Sequence, residues 1–294
     1  MSKPRVAILG LGIMGTGMAN RLLSQGFPVA VYNRNAQKAK PFADAGAFVA
    51  GSPAEAASRS EIIISMVADD NASRSMWLGE KGALAGAISG QVLIECSTLT
   101  VGWIQELVSA AAQKGCKLLD APVTGTKPHA ASGELVFLVG GAEDALEKAR
   151  PVLSVLGKDV VHFGPSGSGA LMKLVNNFMC GVQAASLAEA LSLVQAGGLD
   201  RNKAIAVLTN GAPGSPLVKV VSSRAAAQDF TPNFELRLMA KDLGYADQTA
   251  QRLRHSHLET ATSALKIFER AIASGYGEKD FSAVLEYGLK DQVH

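Results

Sequence analysis

Three glycines near the start of the chain, Gly10, Gly12 and Gly15, follow directly on the apolar run VAIL and open a helix-like stretch that reaches about Gln25. Glycines at this spacing between a strand and a helix suit one chemical task. The first permits a tight turn, the second lets the backbone approach a pyrophosphate, and the third lets helix and strand pack closely. The helix N-terminus then turns its unpaired N–H groups and the positive end of its dipole toward the phosphates. Gly10, Leu11, Gly12, Ile13, Met14 and Gly15 are therefore candidate dinucleotide-binding residues. The competing reading is a glycine-rich turn with no ligand, and the strand–turn–helix setting argues against it.

The end of the second apolar run, VAVYN at 29–33, bears on which dinucleotide is held. An acidic residue there would accept hydrogen bonds from the adenosine ribose and repel a 2′-phosphate. This chain has Asn33 and Arg34 instead, with Lys38 a turn further on and Asp44 the nearest downstream acid. A guanidinium can grip a phosphate with forked, charge-assisted hydrogen bonds and stack on an adenine face. The expected cofactor is thus NADP(H) rather than NAD, although a solvated surface arginine would look the same in sequence.

Hydride transfer from a nicotinamide to a carbonyl carbon needs an acid near the carbonyl oxygen and donors that orient the substrate. Lys173 and Asn177 are four residues apart on a predicted helix, so their side chains leave from one face. A lysine there could protonate the oxygen. Its reference pKa of about 10.4 would have to fall for efficient exchange near neutrality, as apolar surroundings or a positively charged nicotinamide would make it do. A snorkelling surface lysine fits the spacing equally well. Other candidates are weaker. The five histidines, at 129, 162, 255, 257 and 294, form no metal cluster, and no metal is expected. His129 lies on the substrate loop and could sense substrate, but an exposed loop histidine is the plainer reading; Arg237 reads as a partner of Glu235 or Asp242 or of a second substrate carboxylate. Ser97 has neither a nearby histidine nor a nucleophile elbow, so hydrolase chemistry has no support.

The elements that must position these residues fall into two parts. Over the first 164 residues short apolar runs alternate with helix-like stretches: VAILG at 6–10, VAVYN at 29–33, IIISMV at 62–67, VLIECS at 92–97, KLLDAPV at 117–123, LVFLVGG at 135–141 and DVVHF at 159–163. Continuous apolar runs indicate strands covered on both faces, so the fold class is α/β, a Rossmann-type doubly wound, mainly parallel sheet. After GPSGSG at 164–169 no strand is expected. Apolar residues recur at helical spacing from Ser168 to about Ala196, a helix of roughly 43 Å joining two domains. Further helices are expected around 201–210, 216–227, 237–252 and 258–274. The domains are thus 1–164, dinucleotide-binding, and 165–294, all-α.

Bulk properties agree with a two-domain globular enzyme. The chain has 294 residues, is 48% hydrophobic and 18% charged, and carries a net charge of +2, which gives no sign of a nucleic-acid partner. Three scattered cysteines fit a reducing compartment. The basic, then apolar, N-terminus imitates a signal peptide but is better explained as a buried first strand. No run of about 20 uninterrupted apolar residues marks a membrane span. A cytoplasmic protein with a small-molecule substrate is expected, no nucleic acid or membrane partner, and self-association into a homodimer or homotetramer.

Several segments together resemble the β-hydroxyacid dehydrogenases: GLGIMGTGMA at 10–19, VYNR at 31–34, ECSTLT at 95–100, DAPVTGTKPHAASGEL at 120–135, GSGALMKLVNN at 167–177, FELRLMAKDLGYA at 234–246 and FSAVLEYGLK at 281–290. The likeness covers essentially the whole chain. The Asn-Arg pair at 33–34 and the GTK at 125–127 are most similar to the glyoxylate/succinic semialdehyde reductase branch. The resemblance implies that Lys173 is the catalytic lysine and Asn177 its companion. It implies that Thr124 and Gly125 hold a substrate carboxylate, and that Thr98 lies on the nicotinamide side of the cofactor. Phe234, Lys241 and Asp242 would belong to a segment that closes the site, Lys241 toward the cofactor and Phe234 and Asp242 toward the substrate. Val67, ending the run 62–67, joins the cofactor-binding residues. Two departures stand out: Thr124 replaces a usual serine, and the loop at 97–100 lacks a usual proline.

Three other readings share this architecture. An imine reductase generally lacks a lysine at the position of Lys173. A 6-phosphogluconate-type decarboxylase needs more basic residues and a longer C-terminal region. A non-catalytic dinucleotide-binding scaffold would have no reason to retain the lysine. Within the family, a 3-hydroxyisobutyrate or tartronate semialdehyde type of enzyme remains open beside reduction of a small carboxylate-bearing aldehyde.

Overall fold

The computed structural model describes residues 3–253 and 256–290. The chain divides into two compact units, Met1–Lys173 and Leu174–His294. In the first, the order is β1 (Val6–Leu9), α1 (Ile13–Ser24), β2 (Val29–Tyr32), α2 (Lys40–Asp44), β3 (Phe48–Val49), α3 (Pro53–Ser58), β4 (Ile62–Ser65), α4 (Asp70–Leu78), α5 (Ala83–Gly86), β5 (Val92–Glu95), α6 (Val101–Gln113), β6 (Lys117–Asp120), β7 (Val123–Thr124), α7 (Lys127–Ser132), β8 (Leu135–Gly140), α8 (Glu143–Leu156) and β9 (Gly157–Gly164). The helix α9 (Ser168–Ala196) begins in the first unit and ends in the second. It is followed by α10 (Arg201–Asn210), α11 (Pro216–Ala226), α12 (Leu236–Arg252), α13 (Glu259–Ala271) and α14 (Val284–Lys290).

The sheet runs β3-β2-β1-β4-β5-β6-β8-β7, with β9 beside β8. Pairing is parallel from β3 to β6, and β8 runs antiparallel to both β6 and β7. The apolar runs look continuous because alternate residues serve opposite faces. Val6, Ile8, Val31, Ile64 and Ile94 pack under α1 and α8 with Met18, Leu22 and Leu153. Ala7, Leu9, Ile63 and Leu93 pack on the other face with Trp77, Trp103 and Leu107. The order reverses between β1 and β4, which opens a crevice at their C-terminal ends, the place where open α/β sheets bind ligands.

Two local expectations differ from what is found. The run at 117–123 is two strands, because the chain leaves β6 at Ala121-Pro122 and Val123–Thr124 turns to pair antiparallel with Phe137 and Val136. His129 lies in the short helix α7 and is half-buried rather than exposed on a loop. By contact the first turns of α9 stay with the first unit, because they are bonded to the end of β6 (below), so the compact units part at Lys173 within that helix.

The second unit is helical, as expected. Its core gathers Leu187 and Leu191 of α9, Val221 of α11, Leu236, Met239 and Leu243 of α12, Phe268 of α13 and Leu285 of α14. By length and composition α9 could cross a membrane. It nevertheless carries Lys173, Asn176 and Asn177, and buries Ala184, Leu187 and Leu191 in this core. At Gly181 it lies close to α12: a Cβ there would stand 2.9 Å from Leu243 Cδ2, so a larger residue would have to displace that side chain.

Candidate active site

The glycine turn is built as its spacing predicts. Gly10 has φ +100°, and a Cβ on it would lie 2.3 Å from the Met66 carbonyl oxygen. A Cβ on Gly15 would lie 1.9 Å from the Gly10 oxygen, so the third glycine seats α1 against the strand end. Gly12 differs: a Cβ there would meet nothing within 4 Å, and as N-cap it offers no side chain to the first-turn N–H groups. Open space beside unclaimed donors at the sheet's reversal point fits a dinucleotide pyrophosphate. Ile13 and Met14 form the first turn of α1.

Asn33 has a structural task the sequence did not reveal. Its Oδ1 accepts from Leu11 N at 2.9 Å and its Nδ2 donates to Asn35 O at 2.9 Å, tying the glycine turn to the end of β2. Arg34 and Lys38 are exposed beside that tie, and neither joins an ion pair among the described residues. Two cations thus stand just after β2 with no carboxylate paired to them among the described residues.

At the other end of the crevice the loops after β4 and β5 are locked together from below. Glu95, the last residue of β5, is fully buried. Its Oε2 accepts from Ser73 Oγ at 2.6 Å and Trp77 Nε1 at 2.7 Å, and its Oε1 accepts from Ser97 N at 3.0 Å. Ser97 Oγ in turn accepts from Val67 N at 2.8 Å, and Trp103 Nε1 donates to Ser73 Oγ at 2.9 Å. Burial pushes the Glu95 carboxyl above its ordinary range, against the opposing pull of Ser73, Ser97 and Trp77. Val67 and half-buried Thr98 sit on this locked pair of loops. The missing proline is replaced by a clamp: Thr100 Oγ1 donates to Asp70 Oδ2 at 2.6 Å and Thr100 N to Oδ1 at 3.0 Å, while Thr100 caps α6. Sequence reasoning missed Glu95, although an acid ending the apolar run VLIE was a visible signal.

Lys173 is placed by a second buried acid. Asp120, at the end of β6 and fully buried, accepts from Gly167 N and Ala170 N, each at 2.8 Å, with one oxygen apiece. The carboxylate therefore caps α9 from a neighbouring strand, and burial raises its pKa in spite of these donors. Gly169 makes the contact possible, since a Cβ would lie 2.2 Å from Leu138 O. Lys173 follows one turn after Ala170 and is half-buried. From the same end of β6 the chain runs through Pro122 to Thr124, half-buried on β7, and to exposed Gly125 at φ +124°. The turn that precedes Lys173 and the segment that leads to Thr124 and Gly125 thus both attach at the end of β6.

Within the second unit, Asn177 is buried and donates through Nδ2 to Asp242 Oδ2 at 2.6 Å, while its Oδ1 accepts from Asn176 Nδ2 at 2.9 Å. Asp242, fully buried, also pairs through Oδ1 with Lys241 Nζ at 2.8 Å. Lys241 Nζ stands 4.5 Å from the Tyr245 ring centroid. Asp242 Oδ2 is thus taken by Asn177, whereas the buried Oδ1 has the Lys241 ammonium as ion-pair partner but no aligned hydrogen bond. Phe234 is half-buried with its ring edge-on to Phe281, centroids 5.9 Å apart. Arg237 pairs with Glu235 and Glu278, as one sequence reading had it. His257 pairs with Asp247 at 3.0 Å, whereas His255 and His294 lie outside the described residues. Among the described residues no group of histidine, cysteine and carboxylate side chains could hold a metal.

Comparison with known proteins agrees with this geometry. A family profile described as the NAD binding domain of 6-phosphogluconate dehydrogenase matches residues 5–164, and one described as NAD-binding of NADP-dependent 3-hydroxyisobutyrate dehydrogenase matches 167–287. The chain is 34% identical to a NAD-dependent L-serine dehydrogenase of Pseudomonas aeruginosa, over 95% of this chain and 96% of the relative. It is also 34% identical to the chloroplastic glyoxylate/succinic semialdehyde reductase 2 of Arabidopsis thaliana, over 96% of this chain and 78% of the relative. A solved 3-hydroxyisobutyrate dehydrogenase of Mycobacterium tuberculosis with L-serine superposes with a TM-score of 0.87 at 30% identity, covering 97% of this chain and 99% of the other. The chain belongs to the β-hydroxyacid dehydrogenase family, oxidoreductases that use a nicotinamide dinucleotide on the CH–OH group of small hydroxy acids.

Proposed function

We propose that the protein reduces a small aldehyde bearing a carboxylate, with glyoxylate and succinic semialdehyde the leading candidates, to the hydroxy acid, and that it uses NADPH. The observation that carries the reading is the shared origin of two groups at the end of β6: Asp120 grips the first turn of α9, and the Thr124–Gly125 loop begins four residues later. A carboxylate meets the hydroxyls and exposed backbone of Thr124-Gly125-Thr126 and the charge of Lys127. Lys173 donates a proton to the carbonyl oxygen, and Asn177, its amide oriented by Asp242 and Asn176, holds that oxygen in line. The cofactor, when bound, supplies the hydride.

Arg34 and Lys38, with no acid beside them, favour NADPH over NADH. The name of the Arabidopsis relative supports the aldehyde class. The names of others, an L-serine dehydrogenase and a 3-sulfolactaldehyde reductase of Escherichia coli, point to related three-carbon acids. In this reading the protein is cytoplasmic and self-associates, and exposed Val175, Met179 and Leu193 on α9 support the association. The deciding experiment is a panel of small aldehydes and 2-oxo acids with NADPH and with NADH, containing succinic semialdehyde beside butanal. Loss of the carboxylate should cost about 1–3 kcal/mol of transition-state binding. Equal efficiency on butanal would leave a general aldehyde reductase, and better use of NADH would remove Arg34 from cofactor selection.

A further inference from the structure

We infer that His129 is the positioning residue of the Thr124–Thr126 loop, and that it holds the loop only while its Nδ1 carries no proton. The inference rests on the reading above, in which this loop meets the substrate carboxylate.

Thr126 ends the loop and is the N-cap of α7. Its backbone N–H donates to His129 Nδ1 at 3.1 Å. In the Ser/Thr-x-x-Glu/Gln capping box, a glutamate or glutamine three residues after the cap receives that N–H. Here a histidine receives it. An amide or carboxylate oxygen accepts at any pH near neutrality, whereas an imidazole nitrogen accepts only when unprotonated. The neutral ring must then carry its proton on Nε2.

The loop is folded directly on this side chain. Gly125 sits at φ +124°, and a Cβ there would lie 3.1 Å from His129 Cβ and 2.9 Å from Leu135 Cδ2. Movement of Thr126 therefore reaches Gly125 at once. A second partner is already in place, since Thr126 Oγ1 stands 3.0 Å from the same Nδ1. A protonated ring can donate to that hydroxyl but can no longer accept from the backbone N–H. Protonation thus exchanges one bond for the other and leaves the Thr126 amide without its acceptor. The charged groups on the surrounding segments are Lys127 on α7, Arg21 on α1, whose guanidinium lies against Gly133, and Glu134, which accepts from Ser132 Oγ at 2.8 Å.

The test compares wild type with His129→Gln and His129→Phe at saturating NADPH, measuring KM for succinic semialdehyde from about pH 5 to 8. Glutamine supplies a capping-box acceptor throughout, so its KM should change less than that of wild type, which should rise about three- to tenfold toward pH 5. Phenylalanine should raise KM by a similar factor across the whole range. A phenylalanine variant that matches wild type at pH 8 overturns the role of His129. Nitrogen-15 NMR of the same proteins gives a readout independent of turnover. The Nε2–H tautomer at pH 8, with the Thr126 amide shifting as the ring titrates, is expected. An Nδ1–H tautomer, or an amide that ignores the ring, overturns the inference. If ring and amide titrate together but the KM profiles of wild type and His129→Gln run parallel, His129 still holds Thr126, and it is the carboxylate reading of the loop that falls.

Discussion

Asp242→Ala removes an acceptor that two site residues share, and the cost can be worked from the contacts. Asn177 Nδ2 reaches the carboxylate at 2.6 Å, and both groups are buried, so a charge-assisted hydrogen bond of about 1.5–3 kcal/mol is lost. Lys241 Nζ reaches the other oxygen at 2.8 Å, but its side chain is 17% exposed and water can replace part of that bond. Its share is discounted to about 0.5–1 kcal/mol. Together the variant should lose about 2–4 kcal/mol of stability. Asp242→Asn keeps an oxygen for Asn177 while turning N–H groups toward Lys241, and should lose about half as much. Urea unfolding followed by circular dichroism measures the first effect. Steady-state kinetics measures the second: an Asn177 amide released from its orientation should lower kcat/KM about tenfold or more, the equivalent of about 1.4 kcal/mol. If Asp242→Ala unfolded within about 0.5 kcal/mol of wild type and kept its kcat/KM, the clamp on Asn177 would have no energetic content and the reasoning would be refuted.

Lys173→Ala should lose about 10²–10⁴ in kcat while its NADPH affinity, read by titration, stays near wild type; near-normal turnover would remove the lysine from proton transfer. Arg34→Asp should raise KM for NADPH by about one to two orders of magnitude and leave NADH little affected, and a variant with unchanged NADPH kinetics would count against the phosphate clamp. For Glu95 the sign follows from burial. Its folded pKa lies above the ordinary 4.5, so its stabilising contribution is present below about pH 4.5 and is lost as pH rises through the folded value. Glu95→Gln lacks that titration, so its stability relative to wild type should improve across the window, as urea unfolding at a series of pH values would show; parallel curves would contradict the assignment.

Much of the fold was legible because it depends on short-range pattern. Apolar runs alternating between two faces, the glycine turn after β1, and helical spacing from Ser168 to Ala196 are each written within a few dozen consecutive residues. The polar groups that position the site were not, because each bonds to residues remote in sequence. Asp120 meets Gly167 and Ala170 about fifty residues away, and Asn177 meets Asp242 across 65. Asn33 was read as a cofactor-binding residue, and its side chain holds Leu11, a tie that composition cannot announce. His129 escaped because the local rule for a capping box names glutamate or glutamine, and imidazole can fill the same place. The antiparallel turn at Val123–Thr124 was hidden inside a run that looked like one strand, since its pairing with β8 is chosen by tertiary context.

The polar cluster under the loops after β4 and β5 has an optical consequence. The chain has two tryptophans, and both belong to it: Trp77 bonds to Glu95, Trp103 to Ser73, and each is no more than 1% exposed. The intrinsic emission of the protein therefore comes from a single dry locus beneath Val67 and Thr98, with no contribution from a surface indole. Reduced nicotinamides absorb where tryptophan emits, so a cofactor seated on those loops would accept energy from both indoles together. Quenching would then follow occupancy of one site, and the colour of the unquenched emission would report whether the indole N–H groups still have their acceptors. A single fluorescence titration can thus count bound cofactor and watch the Glu95 network in the same record.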